Sequence, residues 1–142
     1  MSKFTKIIIT AFILIPVGIG WFYTGKSNRT SGSIQGSLGF PSDFIPKLVI
    51  CADPIEWWKK KICIGSELDA RTYELKLPKG KYTVFASVIE KMEYFQTDYR
   101  AYYSEFVKCG LSVNCKDHSP IVIEINDAST LNDINPQDWY LK

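Results

Sequence analysis

Hydrophobic and polar residues alternate in short runs along most of the chain after residue 30. In residues 72–77, Tyr73, Leu75 and Leu77 fall on one face of an extended strand and polar residues fall on the other. Residues 81–89 are apolar on both faces, which predicts a central strand that is covered on both sides. Gly, Pro, Asp and Asn, which favour turns, separate these runs. The predicted strands are residues 33–38, 47–52, 60–64, 72–77, 81–89, 100–107 and 121–126.

Seven short strands predict an all-β fold, a single antiparallel seven-stranded β-sandwich over residues 33–142. The polar stretch at residues 26–32 is the expected linker before it. Residues 90–99 are the one stretch that could be helical by pattern, and we expect an extended loop there.

The first 25 residues have a different pattern. Lys3 and Lys6 precede a nearly unbroken apolar run over residues 7–23, which would leave a large apolar surface in water if it belonged to a small soluble domain. Residues 1–25 are therefore predicted to form an N-terminal hydrophobic helix, which is either a transmembrane anchor or a signal peptide.

Two features of this run favour different outcomes. The aromatic residues at 21–23 would suit a membrane interface, which favours an uncleaved anchor. Pro16 and the glycines Gly18 and Gly20 are typical of a cleavage region, which favours a cleaved signal peptide. Both outcomes place the domain outside the cytoplasm, either anchored in the inner membrane and facing the periplasm or extracellular space, or secreted after cleavage.

The four cysteines fit an exported domain, where disulfide bonds form and persist. Four cysteines allow three pairings. If the strands that carry Cys51 and Cys63 form a hairpin centred on Trp57, the two cysteines lie opposite each other and their β-carbons are close enough for a disulfide. Cys109 and Cys115 bracket a short loop with turn-forming residues. The predicted pairs are therefore Cys51–Cys63 and Cys109–Cys115.

The charge balance excludes one class of partner. The formal net charge is +2, and Lys3 and Lys6 account for both excess positive charges, so the rest of the chain is neutral. General nucleic-acid binding needs a broad cationic surface, so no nucleic-acid partner is expected.

The stretch between Cys51 and Cys63 contains the most distinctive candidate binding residues. Trp57 and Trp58 are followed directly by Lys59, Lys60 and a third lysine. One interpretation is that both tryptophans cover the hairpin. The other is an aromatic and cationic tip that binds a protein, a glycan or an anionic lipid head group.

Two further aromatic groups are predicted to serve packing. Tyr99, Tyr102 and Tyr103 form a cluster in which alternation sends Tyr102 and Tyr103 to opposite faces, so at least one should enter the core. Trp139 and Tyr140 should clamp the C-terminal tail onto the sandwich.

The single histidine suggests chemistry only weakly. His118 lies beside Asp117 and Ser119, but a catalytic triad is a spatial arrangement and sequence adjacency does not create one. A metal site that combines His118 and Asp117 with Asp127 or Asp133 is the weaker alternative to a polar turn. No catalytic residue, metal site or cofactor is expected, and the chain is predicted not to be an enzyme.

Three segments resemble an exported bacterial family of transthyretin-like (prealbumin-like) β-sandwich domains, which is related in fold to carboxypeptidase regulatory-like domains. The segments are "FPSDFIP" at 40–46, "CGLSVNCKDH" at 109–118 and "PQDWY" at 136–140, and the similarity extends from about residue 33 to residue 140. The resemblance implies a prealbumin-like fold and a surface role, and it implies no enzymatic activity.

Three functions follow as hypotheses, in decreasing order of preference. The first is a non-enzymatic extracytoplasmic interaction or structural module that is tethered to the membrane and has an envelope protein as a partner. The second is a glycan- or peptide-binding module that uses Trp57, Trp58 and the tyrosines. The third is a metal-dependent hydrolytic enzyme.

Overall fold

The computed structural model describes residues 31–89 and 99–140. The predicted N-terminal helix at 1–25, most of the predicted linker and nearly all of the predicted 90–99 loop lie outside these residues. Within the described part of the chain, no helix is long and apolar enough to cross a membrane.

The described residues form eight strands and one short helix. In chain order they are β1 (Ser31–Ser37), β2 (Leu48–Pro54), β3 (Ile62–Gly65), β4 (Thr72–Pro78), β5 (Gly80–Val88), β6 (Arg100–Tyr102), α1 (Glu105–Lys108), β7 (Val122–Ile125) and β8 (Thr130–Leu131).

The strands build two sheets, which confirms the predicted all-β sandwich. One sheet has the order β4-β1-β8, and the other has the order β3-β2-β5-β6, with β7 also paired to β5. β5 is central, since β2 pairs along one edge while β6 and β7 share the other.

The core lies between the sheets and follows the predicted alternation. Tyr73, Leu75 and Leu77 of β4 are buried, and the residues between them are exposed. Ile50 of β2 and Val84 of β5 are fully buried in the same core. Each such side chain contributes about 2 kcal/mol by leaving water, so this alternation specifies which face of each strand points inward.

The outer face of β5 is covered as well, which explains its continuous apolar run. Phe85 pairs directly with Cys51 of β2, and both are only 3% exposed. Tyr102 packs beside the Phe85 ring at 5.6 Å, and the Arg100 guanidinium lies over it at 4.7 Å. The prediction of a central strand covered on both sides is therefore confirmed.

Three sequence-based boundaries differ from the structure. β1 begins at Ser31, because Ser31 and Gly32 pair with the end of β4, so the predicted linker 26–32 reaches too far. The predicted strand 100–107 ends at Tyr102, and α1 follows after Ser104. β8 is an additional short strand that runs parallel to β1, so the sheets are not wholly antiparallel.

Candidate functional site

The loop between β2 and β3 is the candidate site, and we call residues 53–61 the tip. β2 and β3 pair with Cys51 opposite Cys63, and the two cysteines form a disulfide. The last pair of this ladder is Ala52 with Ile62, one pair beyond the disulfide, and the first two residues of the tip, Asp53 and Pro54, still pair with β5. Both the pairing and the register predicted from the sequence are confirmed.

A β-turn places the two tryptophans at the outermost part of the tip. The backbone amide of Lys59 donates to the carbonyl oxygen of Glu56 at 3.0 Å. Trp57 and Trp58 are thus the two central residues of the turn. The Lys59 ammonium also donates to the Glu56 carboxylate at 2.8 Å, so a side-chain bond links the same two residues as the backbone bond.

Both tryptophans are largely in water. Trp57 is 89% exposed and Trp58 is 66% exposed, and their rings contact each other edge to face at 5.8 Å between centroids. Ile55, at the start of the tip, is also more than half exposed. The interpretation that both tryptophans cover the hairpin is therefore wrong, because a side chain as exposed as that of Trp57 buries little of the hairpin surface.

A groove of about 650 Å³ runs beside the tip and the β4–β5 turn. Tyr82 closes one side, and its hydroxyl donates to the Pro78 carbonyl oxygen at 2.9 Å. Burial raises the pKa of Tyr82 above its ordinary value, so this phenol keeps its proton, and with it the hydrogen bond, further into the alkaline range. The groove is lined by Pro54, Trp58, Lys59, Lys60, Ile62, Pro78, Lys79 and Tyr82.

Positive charge surrounds this groove. The hydrogen bond from Lys59 lowers the pKa of Glu56, which keeps that carboxylate ionised and paired. Lys60 and Lys61 are exposed, and within the described residues they take part in no ion pair. Lys79 lies 4.0 Å from Asp127, an exposed pair that water screens strongly.

The other candidate, His118, belongs to a polar cluster that the sequence did not reveal. Its Nδ1 lies 2.8 Å from Oδ2 of Asp138, and the Ser104 hydroxyl donates to the same oxygen at 2.6 Å. The backbone amide of Tyr140 donates to the other oxygen of Asp138 at 3.3 Å. Asp138 and Ser104 are completely buried, so the carboxylate depends on these donors for its hydrogen bonds.

These three residue types match a catalytic triad, but their connections differ. In a triad the histidine accepts from the serine hydroxyl and donates to the carboxylate. Here the Ser104 hydroxyl donates to Asp138 instead of His118, and it has no exposed surface from which to attack a substrate. The cluster joins α1, the 118–120 segment and the C-terminal segment, which is a structural role.

The residues on either side of His118, Asp117 and Ser119, hydrogen-bond to each other and not to His118. Asp117 accepts the backbone amide of Ser119 at 2.9 Å, and hydrogen bonding from Ser119 lowers the pKa of Asp117. In residues 31–89 and 99–140, no group of three or more His, Cys, Asp and Glu side chains is placed to hold a metal ion.

The remaining aromatic predictions fall on packing positions. Tyr103 is buried in the core, and Tyr102 is half-buried against Phe85, as alternation predicted. Trp139 is 3% exposed, and its indole nitrogen donates to the Gly39 carbonyl oxygen at 2.8 Å. Trp139 therefore clamps the C-terminal segment as predicted, whereas Tyr140 is largely exposed.

The second predicted disulfide, Cys109–Cys115, is also present. Gly110, with a φ of 79°, adopts the left-handed conformation that commonly terminates a helix. Its backbone amide donates to the Val107 carbonyl oxygen, and the amide of Leu111 donates to the Phe106 carbonyl oxygen, so the last carbonyl groups of α1 are hydrogen-bonded. A tight turn then closes the loop, in which the backbone amide of Cys115 donates a hydrogen bond to the Ser112 carbonyl oxygen.

Sequence reasoning found the tryptophans and lysines of the tip but missed two sets of residues. Pro78, Lys79 and Tyr82 complete the groove from the β4–β5 turn, more than 15 residues away in the chain. Ser104 and Asp138 complete the polar cluster around His118 from 14 and 20 residues away. The only local clue was a charged residue beside a buried tryptophan in the terminal "DWY".

Comparisons of the chain with protein-family models, curated proteins and solved structures gave no match. Its function is therefore inferred from its own residues and geometry.

Proposed function

We propose that this chain is a non-enzymatic interaction module of the cell envelope, tethered to the membrane by its N-terminal segment and facing away from the cytoplasm. Its contact surface is the tip, with Trp57 and Trp58 as the anchor residues and Lys59 and Lys60 beside them.

The exposure of the two tryptophans carries this proposal. Aromatic side chains in water are favourable sites of contact, because covering them with a partner releases a large apolar area. The Cys51–Cys63 disulfide and the Glu56–Lys59 turn fix the tip before any partner arrives. A tip that is already ordered loses less conformational entropy on binding, which favours affinity.

The wider properties of the chain support the tether and the compartment. All four cysteines are in disulfides, which favours an oxidising compartment. The apolar run over residues 7–23 follows two lysines, a pattern typical of anchors and export signals. The three segments that resemble transthyretin-like exported domains favour a prealbumin-like sandwich with a surface role.

Oxidative footprinting of the full chain tests the contact surface without naming its partner. Hydroxyl radicals should modify Trp57 and Trp58 severalfold less in intact cell envelopes than in purified protein, because a partner covers them. Phe44 and Leu68 are the matched control, since they are 51% and 64% exposed at the opposite end of the β2–β3 hairpin. Their modification should be equal in both samples.

Two results would count against the proposal. Equal oxidation of the tip in envelopes and in purified protein would mean that the tip contacts nothing. A hydrolase or transferase activity that disappears in His118→Ala would contradict the non-enzymatic role.

A second function is favoured by one specific observation, the groove beside Trp58. A space of about 650 Å³ between Trp58, Tyr82 and several lysines has the size of a small-ligand site. It would suit an anionic sugar or the carboxyl end of a peptide. Titration of the full chain with cell-wall fragments would then change tryptophan fluorescence, and Trp58→Ala would abolish the change.

A further inference from the structure

The chain enters the domain at the same end of the sandwich as the tip. Ser31, the first residue of β1, pairs with Pro78, and Pro78 lines the groove beside Trp58. Tyr82 of β5 pairs with Pro54, the second residue of the tip. The start of β1, the β4–β5 turn and the tip therefore share one end.

The chain before Ser31 limits how far this end can lie from the apolar run. Seven residues, 24 to 30, separate Tyr23 from Ser31. Even fully extended, the eight steps from Tyr23 to Ser31 span at most about 29 Å. If residues 7–23 lie in a bilayer, Ser31 stays within that distance of the membrane surface, so the tip end of the domain is within reach of the bilayer.

The chemistry of this end matches a bilayer surface. Tryptophan is favoured at the boundary between acyl chains and head groups, and lysine is attracted to anionic head groups. Ile55, Trp57 and Trp58 supply exposed apolar and aromatic surface. Lys60, Lys61 and Lys79 flank them. Of the acidic groups near them, Glu56 is paired with Lys59 and Asp127 with Lys79, while Asp53 at the start of the tip is exposed, so the described lysines here outnumber the acids by four to three.

We propose that the tip docks on the surface of the membrane that holds the chain, with Trp57 and Trp58 inserted at the interface and Lys60, Lys61 and Lys79 on anionic phospholipid head groups. This inference rests on the proposed function, since it names the partner of the same tip and uses the N-terminal tether. The sandwich then stands with the Phe44 and Leu68 end pointing away from the bilayer.

The tether makes this weak contact effective. Once residues 7–23 are in the bilayer, tip docking is an intramolecular event at high effective concentration. The apolar segment holds the chain in the bilayer, and the aromatic and basic residues of the tip add a second contact that orients the domain.

Photoreactive lipids in proteoliposomes test the inference with the purified full chain. Diazirine groups on the lipids should label two regions, residues 1–30 and the tip, when about a third of the phospholipid is anionic. Mass spectrometry should find about fivefold less label on the tip in Trp57→Ala/Trp58→Ala, and a smaller loss in Lys60→Ala/Lys61→Ala or in neutral lipid. Phe44→Ala/Leu68→Ala, at the opposite end of the hairpin, should leave tip labelling unchanged.

The outcomes separate this inference from the proposed function. Label on residues 1–30 without label on the tip overturns membrane docking. If the tip is nevertheless protected in cell envelopes, its partner is a protein or a glycan and the proposed function stands. The absence of label on residues 1–30 would remove the tether, and with it both the proposed function and this inference. Equal tip labelling in the wild type and in Trp57→Ala/Trp58→Ala would also overturn docking through these rings.

Discussion

The tip and the C-terminal segment 132–140 both carry side chains of the types that often bind ligands, but the tip exposes them to water and the C-terminal segment buries them. In the tip, Trp57 and Trp58 occupy the centre of a turn and point into water. In the C-terminal segment, Asp138 and Trp139 are buried and already have partners inside the protein. A side chain whose hydrogen bonds and apolar surface are already satisfied internally has little left to offer a ligand.

The C-terminal segment is held against the domain from Ile134 to Trp139. Tyr73 donates its hydroxyl to the Ile134 carbonyl at 2.7 Å, and this bond is buried. A Cβ at Gly36 would overlap the same carbonyl oxygen, so glycine allows the segment to lie against β1. Together with the Trp139 and Asp138 contacts, this makes the segment part of the core, whereas the tip is fastened only at its base.

Replacing Asp138 should give the largest loss of stability. Asp138→Ala leaves the buried Ser104 hydroxyl and the His118 nitrogen without their acceptor, and we expect a loss of ~3–4 kcal/mol in the free energy of unfolding. Urea unfolding measures it. Asp117→Ala is the matched control, because that carboxylate is exposed and accepts only the Ser119 amide, so its loss should stay below ~1 kcal/mol. Equal losses in the two variants would contradict the stabilising role of the buried hydrogen-bond cluster around Asp138.

Removing the tip disulfide should have the next largest effect. Cys51→Ala/Cys63→Ala opens a loop with a sequence separation of 12 and should cost ~3 kcal/mol, because the unfolded chain regains conformational entropy. Cys109→Ala/Cys115→Ala opens a loop with a separation of 6 and should cost ~2 kcal/mol. Urea unfolding of both variants gives the comparison. A larger cost for the shorter loop would contradict this entropic account.

Replacing Tyr73 should have a smaller effect that depends on pH. Burial raises the pKa of Tyr73 well above its ordinary value, so the folded state holds the phenol proton more tightly than the unfolded state does. The resulting stabilisation is complete below the unfolded pKa of about 10 and is lost as the pH rises above it. Tyr73→Phe should therefore cost ~1 kcal/mol at neutral pH through the lost hydrogen bond, yet lose stability less steeply above pH ~10.

Urea unfolding at several pH values checks this prediction. Identical slopes of stability against pH for the wild type and Tyr73→Phe would show that Tyr73 is not the group responsible. In that case another buried phenol whose pKa is also raised, such as Tyr82, would control the alkaline limit.

Much of the fold was accessible from sequence because local patterns determined it. The alternation in β4 predicted which residues are buried, and the continuous apolar run predicted the central position of β5. The symmetry of the hairpin around Trp57 predicted the Cys51–Cys63 register. The strand predicted over 100–107 failed because Ser104 is drawn into the core by its hydrogen bond to Asp138, a partner 34 residues away. No property of the local sequence encodes that contact.

For the candidate site too, some features could be predicted from the sequence and others could not. The sequence by itself determined a β-sandwich, its disulfide pairs, and a tip that combines two tryptophans with lysines, since these follow from side-chain periodicity and from cysteine positions along hairpins. Only the tertiary structure decided that both tryptophans face water, that His118 pairs with Asp138, and that the tip lies at the end where the chain enters the domain. These three facts depend on which surfaces meet when distant segments pack. A hydrophobic pattern specifies which side chains are buried, but it does not specify which other residues they are buried against.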